Sequence, residues 1–232
     1  MRAAIYQVYF DEASKARLDP GFLPYDNSGR RTDYYENGVL LDVHSSPRMW
    51  EGFDYVGVVS WRFADKTGLS SGDVSREMSG GSPDVFLLTP GMYMKMDAPH
   101  SRRGFGGVQD LAREVDRHGV LPYRLYDYDS GDVVNFCNFW AAKPRVFDDY
   151  CRNYLRPMVD FLESSRDEKI MEWRRKTVTH RGKPYPPAVF MLEGLFQTYV
   201  HHSGLSYAYV GSAPLRSRYR ANRMFLGDSR RE

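Results

Sequence analysis

One stretch of the sequence, residues 132–163, constrains the fold more than any other part of the chain. Its first part, from Val133 to Trp140, is apolar and aromatic and predicts a buried strand. A turn follows, and Pro144 then suits the first position of a helix, where the N–H that proline lacks would be unsatisfied anyway. From there apolar residues recur at three- and four-residue spacing, which predicts a helix packed on a sheet. Pro157 should kink or break that helix.

Two asparagines lie inside the predicted strand, where asparagine has a poor propensity. Asn135 and Asn138 are three residues apart, so their side chains would face opposite sides of an ideal strand. At least one of them is therefore expected to do something other than face solvent. Both residues fit a turn or a bulge, and both also fit a contact with a ligand at the end of the strand.

The remaining sequence alternates between predicted strands and predicted helices. Strands are predicted at 3–10, 53–60 and 85–89, and helices at 11–18, 71–78, 108–118 and 188–202. Residues 39–43 fit a short strand or the start of a helix equally well, and residues 207–210 fit a last strand. This alternation predicts one α/β domain with a mostly parallel sheet flanked by helices.

The position of a site follows from that fold class. Ligands of open α/β sheets bind at the carboxyl ends of the strands, which places the residues after Val8, Val59, Leu88 and Phe139 around the predicted site. Residues 91–107, rich in Gly, Met, His and Arg, are predicted to form a long loop, and loops of that length are usually functional or disordered. We expect the domain to span residues 1–212 and residues 213–232 to form a basic C-terminal arm.

Composition excludes some classes of protein. A net charge of +2 among 62 charged residues argues against a protein that coats nucleic acid. The two cysteines, Cys137 and Cys151, stand in core-like sequence and predict buried thiols in a reducing compartment. The first residues do not resemble a signal peptide, and no window is apolar enough to span a membrane. The expected location is therefore the cytoplasm.

Four segments together resemble a known family. They are IYQVYFDEASKARLDPGFLPYDN, DYVGVVSWRFADKTGL, NFCNFWAAKPRVFDDYCRNYLRPMVDFLE and VFMLEGLFQTY. In this order and spacing they resemble bacterial glycosyltransferases of capsular and lipopolysaccharide gene clusters, whose fold resembles the GT-A nucleotide-sugar transferases. Gly194 departs from the family pattern, which more often has arginine there. The resemblance implies a GT-A-like, Rossmann-like domain that transfers a sugar from a nucleotide-sugar donor to an acceptor hydroxyl. That acceptor would be a glycan or a modified DNA base.

The resemblance also implies a way of holding the diphosphate of the donor. GT-A enzymes usually bind a divalent ion, Mn²⁺ or Mg²⁺, through an Asp-x-Asp motif, and Asp127 and Asp129 have that spacing. These two aspartates also fit a solvated acidic turn. Arg62 and Lys66 are alternative partners for the diphosphate, together with Arg102 and Arg103, and all four also fit ordinary surface charge.

Candidate residues for the base and the donor come from helix and strand positions. Glu193 lies at the edge of the apolar face of its helix, where partial burial would raise its pKa and suit it as a catalytic base. It also fits a helix-edge glutamate paired with an arginine. Tyr6, Gln7 and Tyr9 end the first strand and suit a nucleotide base or ribose, and they equally suit core and turn packing.

An alternative function is a nucleic-acid-binding module without catalysis. The arginine-rich arm, with Arg216, Arg218, Arg220 and Arg223 around Tyr219, would supply phosphate contacts and base stacking. Thermal shift with nucleoside diphosphates, compared with thermal shift with oligonucleotides, separates the two functions.

Overall fold

The computed structural model describes residues 1–29, 34–88, 108–125, 135, 137–180 and 183–211. The strands are β1 (Ala3–Tyr9), β2 (Leu23–Asp26), β3 (Tyr55–Ser60), β4 (Val85–Leu87), β5 (Trp140–Ala142), β6 (Val178–His180), β7 (Lys183–Tyr185) and β8 (Tyr207–Tyr209). The α-helices are α1 (Glu12–Lys15), α2 (Glu36–His44), α3 (Phe63–Thr67), α4 (Ser71–Met78), α5 (Val108–Arg117), α6 (Pro144–Tyr150), α7 (Arg156–Ser164), α8 (Glu168–Arg175) and α9 (Pro187–His202). A 3₁₀ turn covers Pro47–Met49, and a π turn covers Cys151–Leu155.

Six strands form one sheet in the order β2-β1-β3-β5-β4-β8. The pairs β1–β2, β1–β3 and β4–β8 are parallel, whereas β5 runs antiparallel to both of its neighbours, β3 and β4. The prediction of a mostly parallel sheet flanked by helices is therefore confirmed. β6 and β7 form a separate antiparallel pair.

Each face of the six-stranded sheet carries its own apolar core. Alternate residues of β1 show the division, because Ala4, Tyr6 and Val8 join one core whereas Ile5 joins the other. The larger core includes the apolar sides of α2, α5, α6, α7 and α9, and its centre is a close stack of Trp140 on Phe196 with ring centroids 3.7 Å apart. The smaller core lies under α3 and α4. A sheet covered on both faces leaves its edges as the place for a site.

The predicted helix that begins at Pro144 is confirmed, and the irregularity predicted at Pro157 takes a specific form. Its apolar face continues from α6 through the π turn into α7, and Phe147, Cys151 and Leu155 are fully buried. Pro157 lies in the first turn of α7, directly after the π turn. The predicted irregularity at this proline is thus a π turn, which leaves the helical path unbroken.

Among the described residues of 133–140, the predicted strand is wrong at Cys137 and Asn138. β5 begins only at Trp140, and Cys137 and Asn138 adopt left-handed backbone conformations with φ of 59° and 54°. These two residues form a turn that ends extended pairing, so the asparagines do not alternate across a strand. Because β5 is antiparallel, the residues that precede it lie at the edge where β1 and β3 end. The prediction that the residues after Phe139 lie at this edge is therefore wrong, because the chain enters β5 there and runs away from it.

Other local predictions follow from clear capping signals. α4 has the predicted bounds, and Ser70 and Asp73 form a capping box at its start. Residues 39–43, which fitted either a strand or a helix, belong to α2. β2 was not predicted, because a short strand containing a proline has little periodicity.

Of the helices that the described part of the chain contains, none combines the length and apolarity needed to cross a membrane.

Candidate functional site

Four ionisable side chains meet at the edge of the sheet where β1 and β3 end. They come from four elements: Glu36 from the start of α2, Lys66 from α3, Cys137 from the turn before β5, and Glu193 from α9. The Lys66 ammonium lies 3.3 Å from the Cys137 sulfur and interacts electrostatically with both carboxylates. We call these four residues the edge cluster. It combines two acids, one cation and one thiol, all of them partly buried.

Helix α9 fixes the turn before β5 through side chains one helical turn apart. The Asn135 backbone N–H donates to Gln197 Oε1 at 3.1 Å, and the Cys137 backbone N–H donates to the Glu193 carboxylate. Because Glu193 and Gln197 are four residues apart, they lie on the same face of the helix. Glu193 is therefore both an ionisable group of the edge cluster and an anchor for the neighbouring backbone.

Unusual backbone conformations surround the edge cluster. In the described part of the chain, the non-glycine residues with positive φ are Tyr35, Cys137 and Asn138. Tyr35 directly precedes Glu36, and the other two belong to the turn that carries the thiol. Such conformations cost about 1–3 kcal/mol each and are concentrated at functional sites. Their positions agree with a site at this edge of the sheet.

Burial and mutual repulsion disfavour ionisation of the two acids. Desolvation raises the pKa of Glu193 to about 7, with the Lys66 charge lowering it and the Glu36 charge raising it further. The pKa of Glu36 is also raised, mainly by burial and against the effect of Lys66. Two carboxylates that share one ammonium cannot both ionise without leaving an excess negative charge. Near neutral pH, the pair can therefore both accept and release a proton.

The cation and the thiol are held in their usual protonated forms. Burial alone would lower the pKa of Lys66, but Cys137, Glu36 and Glu193 outweigh it and raise the pKa. Desolvation raises the pKa of Cys137 to about 12, with a further contribution from Glu193, so the thiol is neutral at physiological pH. A neutral thiol is a poor nucleophile. We therefore assign acid–base chemistry to the carboxylates.

The raised pKa of Glu193 predicts how stability depends on pH. The folded state holds the proton up to about pH 7, whereas an ordinary glutamate loses it near pH 4.5. The contribution of this bound proton to the free energy of unfolding is therefore complete below pH 4.5 and is lost as the pH rises to about 7. Urea unfolding across this range should show wild type losing stability relative to Glu193→Gln. Glu163→Gln, at an exposed position of α7, should parallel wild type. Parallel curves for all three proteins would contradict the assignment.

Several neutral polar atoms beside the edge cluster have no hydrogen-bond partner among the described residues. They are Ser60 Oγ, both side-chain polar atoms of Asn37, both of Asn135, and Asn138 Oδ1. All four residues are at most 4% exposed. Most buried polar groups in proteins are hydrogen-bonded, so each of these atoms requires a specific explanation.

The three residues predicted to bind the donor at the end of β1 serve other contacts. Tyr6 is buried in the larger core, and its hydroxyl donates to the Met49 carbonyl at 2.8 Å. The Gln7 side-chain oxygen accepts from the Asp19 backbone N–H, and its Nε2 group donates to the Ser60 carbonyl. Tyr9 is partly exposed, and its hydroxyl donates to Asp26, which with burial raises the pKa of Tyr9. These contacts match the packing alternative, and they place none of the three hydroxyl or amide groups in the edge cluster.

The remaining predicted residues separate into two groups. Lys66, Asn135 and Asn138 lie at the edge cluster, as does Glu193. Arg62 is exposed at the start of α3, with its guanidinium over the Trp61 ring and 3.8 Å from Asp65. It does not contact the cluster. One interpretation of the sequence paired Glu193 with an arginine. In the structure its positively charged neighbour is a lysine, Lys66.

Asp84 and Asp26 are two other carboxylates near ends of the strands, and both are bonded to side chains outside the edge cluster. Burial would raise the pKa of Asp84, but hydrogen bonds from Ser206 and Lys143 and the Arg145 charge bring it down to about 2. Asp84 also lies at the amino end of β4, beside a cavity of about 540 Å³ at the opposite edge of the sheet. Hydrogen bonds from Ser28 lower the pKa of Asp26. Both side chains therefore remain ionised and poorly basic at neutral pH.

Several predicted sites lie outside the described residues. They are the Asp127–Asp129 motif, the Arg102 and Arg103 pair, and the arginines of residues 213–232. Among the described residues, the Glu114, His118 and Asp167 side chains come within 4.8 Å of one another. Arg117 and Lys169 already pair with Glu114, and Asp167 caps α8. These contacts explain that cluster as an ion-pair network between α5 and α8.

Two members of the edge cluster were not predicted as site residues. Glu36 lies just before residues 39–43, for which the sequence left strand and helix undecided, and Cys137 was interpreted as a core thiol. The signal available for Cys137 was its position between two asparagines in an otherwise apolar run. Glu36 had no comparable local signal, because only the fold brings α2 beside α9.

The chain was compared with protein-family models, with curated proteins and with solved structures. None of the three comparisons found a match.

Proposed function

We propose that this protein is a nucleotide-sugar-dependent glycosyltransferase in which Glu193 is the catalytic base. One observation carries the proposal: a desolvated carboxylate with a pKa of about 7 lies beside an ammonium group at the carboxyl edge of the sheet. A base is most effective when its pKa is close to the working pH. The family resemblance supports the choice of a sugar as the transferred group.

In this proposal each residue of the edge cluster has a separate role. Glu193 accepts the proton of the acceptor hydroxyl as that oxygen attacks the anomeric carbon of the donor. Lys66 stabilises the ionised form of Glu193, and Glu36 opposes it, so the two neighbours set the proton affinity of the base. The acceptor is a glycan or a modified DNA base. The free thiols of Cys137 and Cys151 agree with a reducing, cytoplasmic location.

Only the family resemblance supports a divalent cation in this proposal. Asp127 and Asp129 would hold Mn²⁺ or Mg²⁺ against the diphosphate of the donor, where a metal ion offsets the negative charge of the leaving group. Lys66 is a poor substitute for the metal, because two carboxylates already share its charge. Arg62 remains exposed and able to reach a diphosphate at the surface of the same edge.

Donor binding can be tested before the acceptor is known. We expect one nucleoside diphosphate of a panel to raise the melting temperature, more strongly with Mn²⁺ or Mg²⁺ than with EDTA. A ligand at 100 times its dissociation constant stabilises the folded state by about 2.7 kcal/mol. Asp129→Asn should weaken the metal-dependent part without unfolding the protein. If no nucleotide stabilises the protein at millimolar concentration, with or without metal, the proposed function is wrong. Stabilisation by oligonucleotides alone would favour the nucleic-acid-binding alternative.

A further inference from the structure

We propose that the cavity of about 540 Å³ at the opposite edge of the sheet binds an apolar monocarboxylic acid, with Lys143 and Arg145 holding its carboxylate. The cavity lies where β3 begins and β5 ends, whereas the edge cluster lies at the other ends of the same two strands. The inference therefore goes beyond the proposed function and does not depend on it.

The cavity has the size and the apolar wall of a small-molecule site. Ligand cavities in proteins usually occupy about 300–1,000 Å³ and are lined mainly by apolar side chains. Here the apolar wall consists of Phe53, Tyr55, Met78 and Pro144. The Tyr55 hydroxyl already donates to the Pro83 carbonyl at 2.7 Å, so the ring of Tyr55 is the part left to contact a ligand. These side chains would cover the apolar body of a small molecule.

Two cations of the cavity wall are positioned by a carboxylate that does not itself line the cavity. Asp84 Oδ1 accepts from Lys143 Nζ at 3.3 Å and from the Arg145 guanidinium. Asp84 Oδ2 accepts from the backbone N–H and from the hydroxyl of Ser206. Because both oxygens of Asp84 are occupied, this carboxylate is fixed in place. Lys143 and Arg145 are therefore held at the cavity before a ligand arrives.

The two cations retain hydrogen-bond donors for a ligand. Arg145 uses one nitrogen of its guanidinium on Asp84, and its side chain is 66% exposed. Lys143 donates to Asp84 and to the Ser82 carbonyl at 3.1 Å, which leaves one of the three N–H groups of its ammonium. A guanidinium group binds a carboxylate through two parallel N–H groups. Arg145 can therefore bind a ligand carboxylate in this way, with the Lys143 ammonium beside it.

The charges around the cavity match a single negative charge on the ligand. Asp54 also lines the cavity, and its carboxylate accepts from the Arg2 backbone N–H at 2.6 Å. The Arg2 guanidinium lies 5.2 Å from the centroid of the Phe53 ring, so a cation offsets the charge of Asp54 on that side. On the other side Asp84 offsets one of its two partner cations. The single positive charge that remains favours a monocarboxylate over a phosphate, which carries about two negative charges.

The probes are sodium 3-phenylpropionate and sodium octanoate, titrated into ¹⁵N-labelled full-length protein. Acids of this size are expected to bind with a dissociation constant of about 1 mM, so NMR is the suitable method. The backbone amide signals of Gly81, Ser82 and Arg145 should shift together, since these residues line the cavity. The neutral amide 3-phenylpropionamide should bind about tenfold more weakly than the acid. Inorganic phosphate, which has no apolar body, should leave the signals unchanged.

Two variants test the charge and the cavity separately. Arg145→Gln removes the exposed guanidinium and should weaken binding of the acid about tenfold, with little effect on the amide. Ser82→Trp places a large ring at the cavity and should abolish binding of both compounds, and Ser82 is exposed, so the core is not disturbed. Arg152→Gln is the matched control, because Arg152 is also 66% exposed and pairs with an aspartate, Asp148. This control should bind the acid as wild type does.

Each part of the proposal can be overturned by one of these measurements. If neither acid shifts the three amide signals, the cavity is not a site for such acids. Equal binding of acid and amide, or an Arg145→Gln variant that binds the acid as wild type does, would show that the cations do not hold the carboxylate. Unchanged binding by Ser82→Trp would place the acid outside the cavity. A loss in Arg152→Gln as large as that in Arg145→Gln would reduce the effect to general surface charge.

Discussion

Glu193→Gln is expected to slow sugar transfer by about 10²–10⁴-fold, the usual effect of losing a general base. Glutamine keeps the shape of the side chain and can still accept a hydrogen bond from the Cys137 backbone N–H, so donor binding and the fold should be retained. Initial rates with the nucleotide sugar identified by thermal shift measure the effect. In wild type the rate should rise with pH through about 7, as the base ionises. The variant should lack that rise.

Glu163→Gln is the matched control, because it makes the same chemical change at an exposed position on α7. Its transfer rate should equal that of wild type. A normal rate for Glu193→Gln together with a lower melting temperature would make Glu193 purely structural. The base would then have to be sought at Asp129, because Asp26 and Asp84 have lowered pKa values and bonds of their own.

Lys66→Met should lower the free energy of unfolding by about 1–3 kcal/mol near neutral pH, because it leaves two partly buried carboxylates without their cation. The loss should be smaller below pH 4.5, where both acids are protonated and no charge remains unpaired. Urea unfolding at the two pH values measures the difference. Methionine has a similar length and preserves the packing of the lysine stem near the Phe139 ring, over which the ammonium lies at 5.2 Å.

Lys15→Met serves as the control for Lys66→Met. The Lys15 side chain is 49% exposed and pairs with Glu12 on a surface helix, so its loss should cost about 1 kcal/mol or less. Adding Glu193→Gln to Lys66→Met should recover part of the stability, since one of the two unpaired acids is then neutral. Equal stability of wild type and Lys66→Met at both pH values would show that the edge cluster is not held by its charges.

Periodicity and capping predicted most of the regular elements. α4 was predicted with its observed bounds, with Gly80 and Gly81 as the signal for its end, and α9 was predicted because apolar positions recur along its sixteen residues. The fold class followed from the alternation of these elements. Glu193 could be singled out for the same reason: a helical wheel shows which polar residue borders an apolar face.

The turn at residues 137–138 could not be predicted in this way. An apolar run predicts extended structure, and a left-handed conformation at cysteine or asparagine leaves no periodic signal in the sequence. Lys66 was interpreted as a possible surface cation, because the burial of a residue on a five-residue helix depends on what the rest of the chain packs against it. The charges of the edge cluster come from segments far apart in sequence. Only the tertiary structure brings them together.

The anchoring of the turn before β5 has a consequence for how the protein could change over time. α9 holds this turn through backbone N–H groups of Asn135 and Cys137, which every amino acid except proline would supply. The side chain at 135 can therefore be exchanged without loss of this bond, whereas position 137 also requires a residue that tolerates a left-handed backbone. Under the proposed function, ligand preference at this edge could then diverge among descendants of the sequence, or be altered by design, at position 135 while the turn stays fixed on α9.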